Sequence, residues 1–163
     1  MGHSNHQAPD RSSQPAAPLT PPARFEWTRL PGTGPGTGIL GNLAGATVIE
    51  LGCGSGHNLA FLVARHGVTG IGIDADPAKI SRARARYGHL PAIQFTLADA
   101  CRYLTAAAPG SADVVLSIFG AFSFTDARPA LTGAARILRP GGLLALTLRA
   151  GDHHDTVVVL RRR

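Results

Sequence analysis

The run Thr47-Val-Ile-Glu-Leu51 leads directly into Gly52-Cys-Gly-Ser-Gly56, and His57 then opens a stretch with Leu59, Leu62 and Val63 at helical spacing. Three alternating glycines between a β-rich run and a helix let the backbone turn tightly and bring its N–H groups close to a ligand. The same grammar repeats downstream. Thr69–Asp74 reads as a second strand, and Asp76-Pro77 starts a helix with Asp as N-cap and Pro at the first helical position. Ile80, Ala83 and Tyr87 form the buried face of that helix, and Gly88 ends it. Ile93–Leu97, Asp113–Ile118 and Leu143–Leu148 read as further strands, separated by helices over Cys101–Ala108 and Arg128–Leu138. Strands alternating with helices define an α/β chain with a parallel sheet, whose ligands bind beyond the carboxyl ends of the strands.

Residues 1–23 are polar and Pro-rich, without hydrophobic period, and read as a disordered N-terminal arm; residues 24–163 then form one domain. Phe25 and Trp27 read either as plugs of the core edge or as a lid over a ligand. The Gly-rich segment that follows, Pro31–Gly38, lacks the Lys of a phosphate-cradling loop.

Hydrophobic residues make up 44% of the 163 positions and charged residues 16%, enough to bury a core. No apolar run reaches the roughly 18–20 residues of a membrane span, and the N-terminus lacks the apolar centre of a secretory signal. The expectation is a cytoplasmic protein without a membrane partner. The net charge of +6 does not mark a nucleic-acid binder: half of it sits on Arg161, Arg162 and Arg163, and the other basic residues are scattered. Cys53 and Cys101 have no metal-ligand spacing and read as free thiols. The adjacent His153 and His154 cannot both face one metal from a single helix face, so no metal site is expected.

Taken in order, VIELGCGSG (48–56), GIDADP (72–77), LADA (97–100), ADVVLSIFGAF (112–122) and LRPGG (138–142) resemble the motifs of the class I S-adenosylmethionine-dependent methyltransferases. The resemblance covers residues 46–148. FEWTRLPGTGPG (25–36) and SIFGAFSFTD (117–126) are similar to bacterial small-molecule-type members of that class. The resemblance implies a Rossmann-like sheet with helices on both faces, strand order 3-2-1-4-5, and S-adenosyl-L-methionine as cofactor. It implies that Gly52, Gly54 and Gly56, with Cys53 among them, line the methionine part, and that Glu50 fixes the loop and orients the amino end. Asp74 would bind the ribose hydroxyls, with Ala75 beside the adenine. Asp99 would accept from the adenine amino group, with Ala100 adjacent, and Ser117 to Phe119 would border the sulfonium.

Two alternatives stand beside this reading. An NAD(P)-dependent oxidoreductase would use the same sheet, but His57 stands where the dinucleotide fingerprint needs Gly, and Glu50 is awkward beside a pyrophosphate. A truncated cofactor-binding fragment without turnover is the other. The resembling fold finishes with an antiparallel pair of strands and a helix between the fifth and sixth. After Leu148 only Thr156–Leu160 offers one more strand, so the C-terminal strands are expected to be missing or truncated. That would leave an exposed sheet edge, which a homodimer would cover.

Methyl transfer needs a general base only where the nucleophile must lose a proton. No catalytic residue is therefore assigned: His57 reads as filling the first turn of a helix sooner than as a base, and His153 and His154 are the weaker candidates for that part. Ser117-Ile-Phe-Gly120 is unlike the Asn/Asp-Pro-Pro-Tyr/Phe of amino-directed nucleic-acid methylases, which favours a small-molecule acceptor.

Overall fold

The computed structural model describes residues 18–123, 126–150 and 154–163. Of the expected arm, residues 1–17 lie outside the described residues; within the remainder, the Leu19 N–H donates to Arg86 O at 3.0 Å.

Among the described residues six strands and four helices alternate: β1 Thr47–Leu51, α1 His57–His66, β2 Thr69–Asp74, α2 Pro77–Tyr87, β3 Ile93–Leu97, α3 Ala100–Ala106, β4 Ala112–Ile118, α4 Ala127–Ile137, β5 Leu138–Ala150 and β6 His154–Arg161. They form one sheet in the order β3-β2-β1-β4-β5-β6. The first five strands are parallel, and β6 runs antiparallel to β5. Order reverses at β1, so the carboxyl ends of β1 and β4 open the crevice where ligands of such sheets bind.

Alternation along each strand feeds two apolar layers. Val48 of β1 and Val114 and Leu116 of β4 pack with Leu59, Leu62, Ile80 and Ala83 of α1 and α2. Ile49, Leu51 and Val115 point to the other face, against Leu104, Ala130, Ala134 and Ile137 of α3 and α4. Side chains of period 2 on the sheet and period 3.6 on the helices meet in this way without a conflict of pattern. Asp76 caps α2 by accepting from the Ala78 and Lys79 N–H groups, at 2.8 and 3.3 Å. Asp99 caps α3 by accepting from the Arg102 N–H at 2.9 Å.

The run Thr156–Leu160, which offered one more strand, lies within β6 and extends the expected order 3-2-1-4-5 by a sixth: β6 pairs with β5 from Leu143↔Arg161 to Ala150↔His154. Its β-branched run, Thr156 to Val159, favours the extended conformation. The fifth strand also begins earlier than Leu143. Leu138 already has extended backbone and pairs with Ala112, and the register then jumps to Val114↔Leu143. Pro140-Gly-Gly142 is thus a bulge inside β5, with Gly141 at φ 80°, instead of a break before it. Asp113 stitches this end together: it accepts from the Thr47 N–H at 2.7 Å and pairs with Arg139 at 2.9 Å.

Candidate functional site

At the end of β1 the Gly52 and Cys53 N–H groups both donate to Ile73 O, at 2.7 and 2.9 Å, which holds the glycine loop against β2. Gly52 has φ 78°, and a Cβ there would lie 2.5 Å from Gly120 Cα. The loops after β1 and β4 therefore touch backbone to backbone, a contact only glycine permits. Gly54, at φ 56°, is different: a Cβ there would meet nothing within 4 Å, because it faces open space. Gly56 precedes α1 and lies against Phe95, with a Cβ position 2.5 Å from its ring, so it serves helix–sheet packing.

Asp74 is the hub of the strand ends. It is only 8% exposed, and both carboxylate oxygens accept backbone N–H groups, Oδ2 from Gly54 and Oδ1 from Asp76, each at 2.9 Å. Its carbonyl accepts from the Ala98 N–H at 3.1 Å. One residue thus ties together the loops that follow β1, β2 and β3, while each carboxylate oxygen keeps a further lone pair.

Two cavities flank this hub. One of about 450 Å³ is bordered by Asp74, Ala75, Lys79, Asp99, Ala100 and Ala121. The other, of about 640 Å³, is bordered by Glu50, Cys53, Gly54 and a strap of chain from Pro22 to Arg29. Gly52 and Phe119 line both, so the two cavities meet there. Phe119 holds φ 48°, the only non-glycine positive φ among the described residues. Strain of this kind, of order 1–3 kcal/mol, persists where surroundings enforce it. Here the Phe119 N–H donates to Thr147 O at 3.2 Å, and the Arg29 guanidinium lies 5.8 Å from the ring centroid.

Glu50 is 3% exposed, and its Oε2 has no hydrogen-bond partner among the described residues. Burial pushes its carboxyl up to about 8; the Leu59 N–H opposes the shift and the Asp74 charge adds to it. At neutral pH that shift favours the protonated acid. Burial, with Glu50 and Asp74 nearby, pushes the Cys53 thiol upward too, which makes it an inert lining group.

The strap explains Phe25 and Trp27. Trp27 is 1% exposed and belongs to the core, and Phe25 packs on it at 4.8 Å between ring centroids. Arg24, Glu26 and Thr28, at the alternate positions, line the larger cavity. Core-facing Phe25 and Trp27 thus alternate with cavity-lining Arg24, Glu26 and Thr28, so the strap is plug and roof at once. Asn58 and Arg24 carry no motif, and sequence reasoning missed both; the Arg-Phe-Glu-Trp-Thr alternation was the available signal. Ser117 borders neither cavity: it is 1% exposed, and its hydroxyl accepts from the Phe122 N–H at 3.4 Å.

His57 is accounted for within the protein. Arg86 lies 3.2 Å from Nε2, and a guanidinium only donates, so Nε2 accepts and Nδ1–H donates to the Tyr87 hydroxyl at 2.7 Å. Burial and Arg86 lower its pKa, and both ring nitrogens are engaged, which leaves no free base. His153 and the side chain of His154 lie outside the described residues. Among the described residues no group of three His, Cys, Asp or Glu side chains is placed to hold a metal.

The residues fit a ligand with a nucleoside at one end and a charged tail at the other. A buried carboxylate hub borders one cavity, an orphaned buried oxygen borders its neighbour, and Gly52 lines both. Sheet order, glycine loop and these strand-end carboxyls define the class I S-adenosylmethionine-dependent fold. The methyltransferase domain family matches residues 48–142, and the chain belongs to it. The O-methyltransferase resE of Aspergillus sclerotiorum is 33% identical over 116 residues, which cover 71% of this chain and 44% of that protein. Trans-aconitate 2-methyltransferase of Methylobacterium radiotolerans is 36% identical over 101 residues, 61% of this chain and 36% of that protein. A solved S-adenosylmethionine-dependent methyltransferase from Thiobacillus denitrificans, in complex with S-adenosyl-L-homocysteine, is 27% identical. It superposes with a TM-score of 0.58 over 71% of this chain and 48% of its own. The chain spans less than half the length of each of these relatives.

Proposed function

We propose that this chain binds S-adenosyl-L-methionine across the two cavities and serves methyl transfer to a small organic acceptor. The observation that carries the reading is Glu50: a buried carboxyl with an unused oxygen, bordering the cavity that adjoins the one bordered by Asp74. Asp74 would hold the ribose hydroxyls with its remaining lone pairs, Ala75 and Ala100 would flank the adenine, and Asp99 would accept from its amino group. Glu50 would meet the amino end of the tail, beside Gly52, Cys53 and Gly54. Gly56 and Ser117 would support the loops from behind, and Phe119 would border the reacting centre where the cavities meet.

The bound cofactor supplies an activated sulfonium methyl for in-line displacement. The protein's part is to align the acceptor and exclude water, a contribution of roughly 7–11 kcal/mol for well-oriented reactants. No side chain is assigned as base, because His57 is committed to Tyr87 and Arg86. A small-molecule acceptor is supported by the relative whose name gives trans-aconitate.

The same reading takes residues 24–163 as the domain and residues 1–23 as an arm. The two free cysteines suit the reducing cytoplasm, and none of the described helices is long and apolar enough to cross a membrane. Val159 and Leu160, exposed on the edge strand β6, support pairing with a second copy.

Calorimetry with S-adenosyl-L-methionine, S-adenosyl-L-homocysteine and NAD tests the cofactor. Binding of both sulfur compounds and none of NAD is expected; NAD binding alone would overturn the reading. Turnover with a panel of carboxylic, hydroxyl and amine acceptors tests the transfer.

A further inference from the structure

Arg29 lies beside the point where the two cavities meet. It lines the larger one, and its guanidinium is 5.8 Å from the ring centroid of Phe119, which borders both. Asp155 of β6 fixes one edge of the fork: its carboxylate accepts from the Arg29 N–H at 3.0 Å, from Nε at 3.2 Å and from Nη2 at 3.0 Å. Nη1 makes no hydrogen bond among the described residues, and the side chain is 41% exposed. A guanidinium held on one edge offers its remaining donors to an anion at little cost in orientation. Asp155 also offsets the charge, so a sulfonium does not meet a bare cation beside Phe119.

The groups that could take a proton from an acceptor are otherwise engaged. In the larger cavity Glu26 accepts from the Gly32 N–H at 2.7 Å, and both ring nitrogens of His57 are bonded. Burial raises the Glu50 carboxyl to about 8, so at neutral pH it favours keeping its own proton. In the smaller cavity Asp74, Asp76 and Asp99 all accept backbone N–H groups. Such a site suits a nucleophile that is anionic before it binds. A carboxylic acid meets that condition, because its proton is gone at neutral pH. We propose that the acceptor is a carboxylic acid whose carboxylate Arg29 holds through Nη1, beside Phe119. The proposal rests on the cofactor reading above and names the acceptor class that reading leaves open. One carboxylate oxygen stays on the guanidinium while the other attacks the methyl carbon of the sulfonium. A C–O bond forms as the C–S bond breaks, and the electron pair of the broken bond remains on sulfur. The products are a methyl ester and a neutral thioether. Anion and cation cancel, and no proton is released.

Calorimetry on the full chain saturated with S-adenosyl-L-homocysteine measures acceptor binding without turnover. The probes are a set of mono-, di- and tricarboxylic acids and their fully amidated counterparts. Turnover with methyl-labelled S-adenosyl-L-methionine is read as methanol released by alkali, which hydrolyses methyl esters and leaves ethers and methylamines intact. Acids are expected to bind and to yield alkali-labile methyl, and the amides to do neither. Loss of a hydrogen bond to a charged group predicts that Arg29→Ala weakens acid binding roughly tenfold to a hundredfold and leaves S-adenosyl-L-homocysteine within about twofold. Arg29→Lys restores part of the loss. Asp155→Ala breaks the same ion pair but keeps the cation, and should weaken the acids by no more than about fivefold, the scale of an exposed pair. Equal losses in Arg29→Ala and Asp155→Ala would overturn the proposal, since Arg29 would then be a latch on the strap. Acid binding untouched by Arg29→Ala would overturn it too, as would labelling confined to hydroxyl and amine acceptors. If the chain binds S-adenosyl-L-homocysteine but none of the acids, the proposal falls and the cofactor reading stands. If it does not bind S-adenosyl-L-homocysteine, the cofactor reading itself fails, and this proposal with it.

Discussion

Asn58 and Glu26 exchange two hydrogen bonds across 32 positions of sequence: Asn58 Nδ2 donates to Glu26 O at 2.8 Å, and the Glu26 N–H donates to Asn58 Oδ1 at 2.9 Å. The side-chain amide imitates the pairing of a neighbouring strand. Because Asn58 lies in the first turn of α1, the roof of the larger cavity is fixed to the element that follows the glycine loop.

Asn58→Ala removes both bonds and leaves two backbone groups of Glu26 to water. The expected loss is about 1–2 kcal/mol of stability. Trp27, the chain's single tryptophan and 1% exposed, reports on the strap directly. Its fluorescence should shift to the red in the variant before urea unfolds the sheet. Unchanged emission and an unchanged midpoint would mean that core packing of Trp27 alone holds the strap.

Two glycine substitutions separate the loop's packing from its ligand face. At Gly52 an added Cβ meets Gly120 Cα at 2.5 Å, backbone against backbone, with φ 78°. Gly52→Ala should therefore cost more than about 2 kcal/mol of stability, the strain of the conformation plus the clash. At Gly54 the Cβ meets open space, so Gly54→Ala should cost only about 1–2 kcal/mol, the price of φ 56°. The methyl would nevertheless enter the cavity and weaken S-adenosyl-L-homocysteine. Thermal melts and calorimetry on both variants check this, and equal destabilisation by the two would contradict it.

The strand–helix alternation from Thr47 to Leu148 was legible because each strand is an apolar or β-branched run closed by glycine or an acidic cap. Asp76 even occupies the cap position that its spacing suggests. The start of β5 was not legible. Pro140-Gly-Gly142 reads as a stop, and only the jump from Ala112↔Leu138 to Val114↔Leu143 shows a bulge absorbing it. The site divides in the same way. Local motif marks Glu50, Gly52 and Asp74, whereas Asn58 and the Arg29–Asp155 pair depend on contacts distant in sequence. No periodicity encodes such contacts.

Asp74 illustrates what a motif leaves out. A carboxylate that only faced a pocket would be dispensable for folding, but this one accepts the Gly54 and Asp76 N–H groups from two loops. Asp74→Ala should lower stability by about 2 kcal/mol and weaken the sulfur cofactors as well, because buried N–H groups lose a charged acceptor. Chemical denaturation and calorimetry on the same sample measure both. Full stability with lost affinity would show that water replaces the carboxylate at both amides.

Glu50 gives the ligand-free protein a pH dependence whose sign follows from its burial. Its carboxyl keeps a proton up to about 8 in the folded chain, against an ordinary value of 4.5. Between those values the folded state binds more protons than the unfolded state, so stability falls as pH rises. The contribution is complete below about 4.5, is lost progressively toward about 8, and does not change further above that. The slope is at most roughly 1.4 kcal/mol per pH unit. His57, whose pKa is lowered by burial and Arg86, acts in the opposite sense at the acid end. Glu50→Gln isolates the carboxyl because it keeps the shape and leaves His57 in place. Urea midpoints taken from pH 5 to 9 should fall with pH in the wild type by more than in the variant, which should be the more stable protein at alkaline pH. The same substitution should weaken S-adenosyl-L-homocysteine, since an amide oxygen accepts from an ammonium group without the opposite charge. In the wild type below about pH 8, binding should release a proton, read as a dependence of calorimetric heat on the ionisation enthalpy of the buffer. Parallel pH profiles for the two proteins, together with heats independent of buffer, would show that Glu50 is already ionised in the empty site.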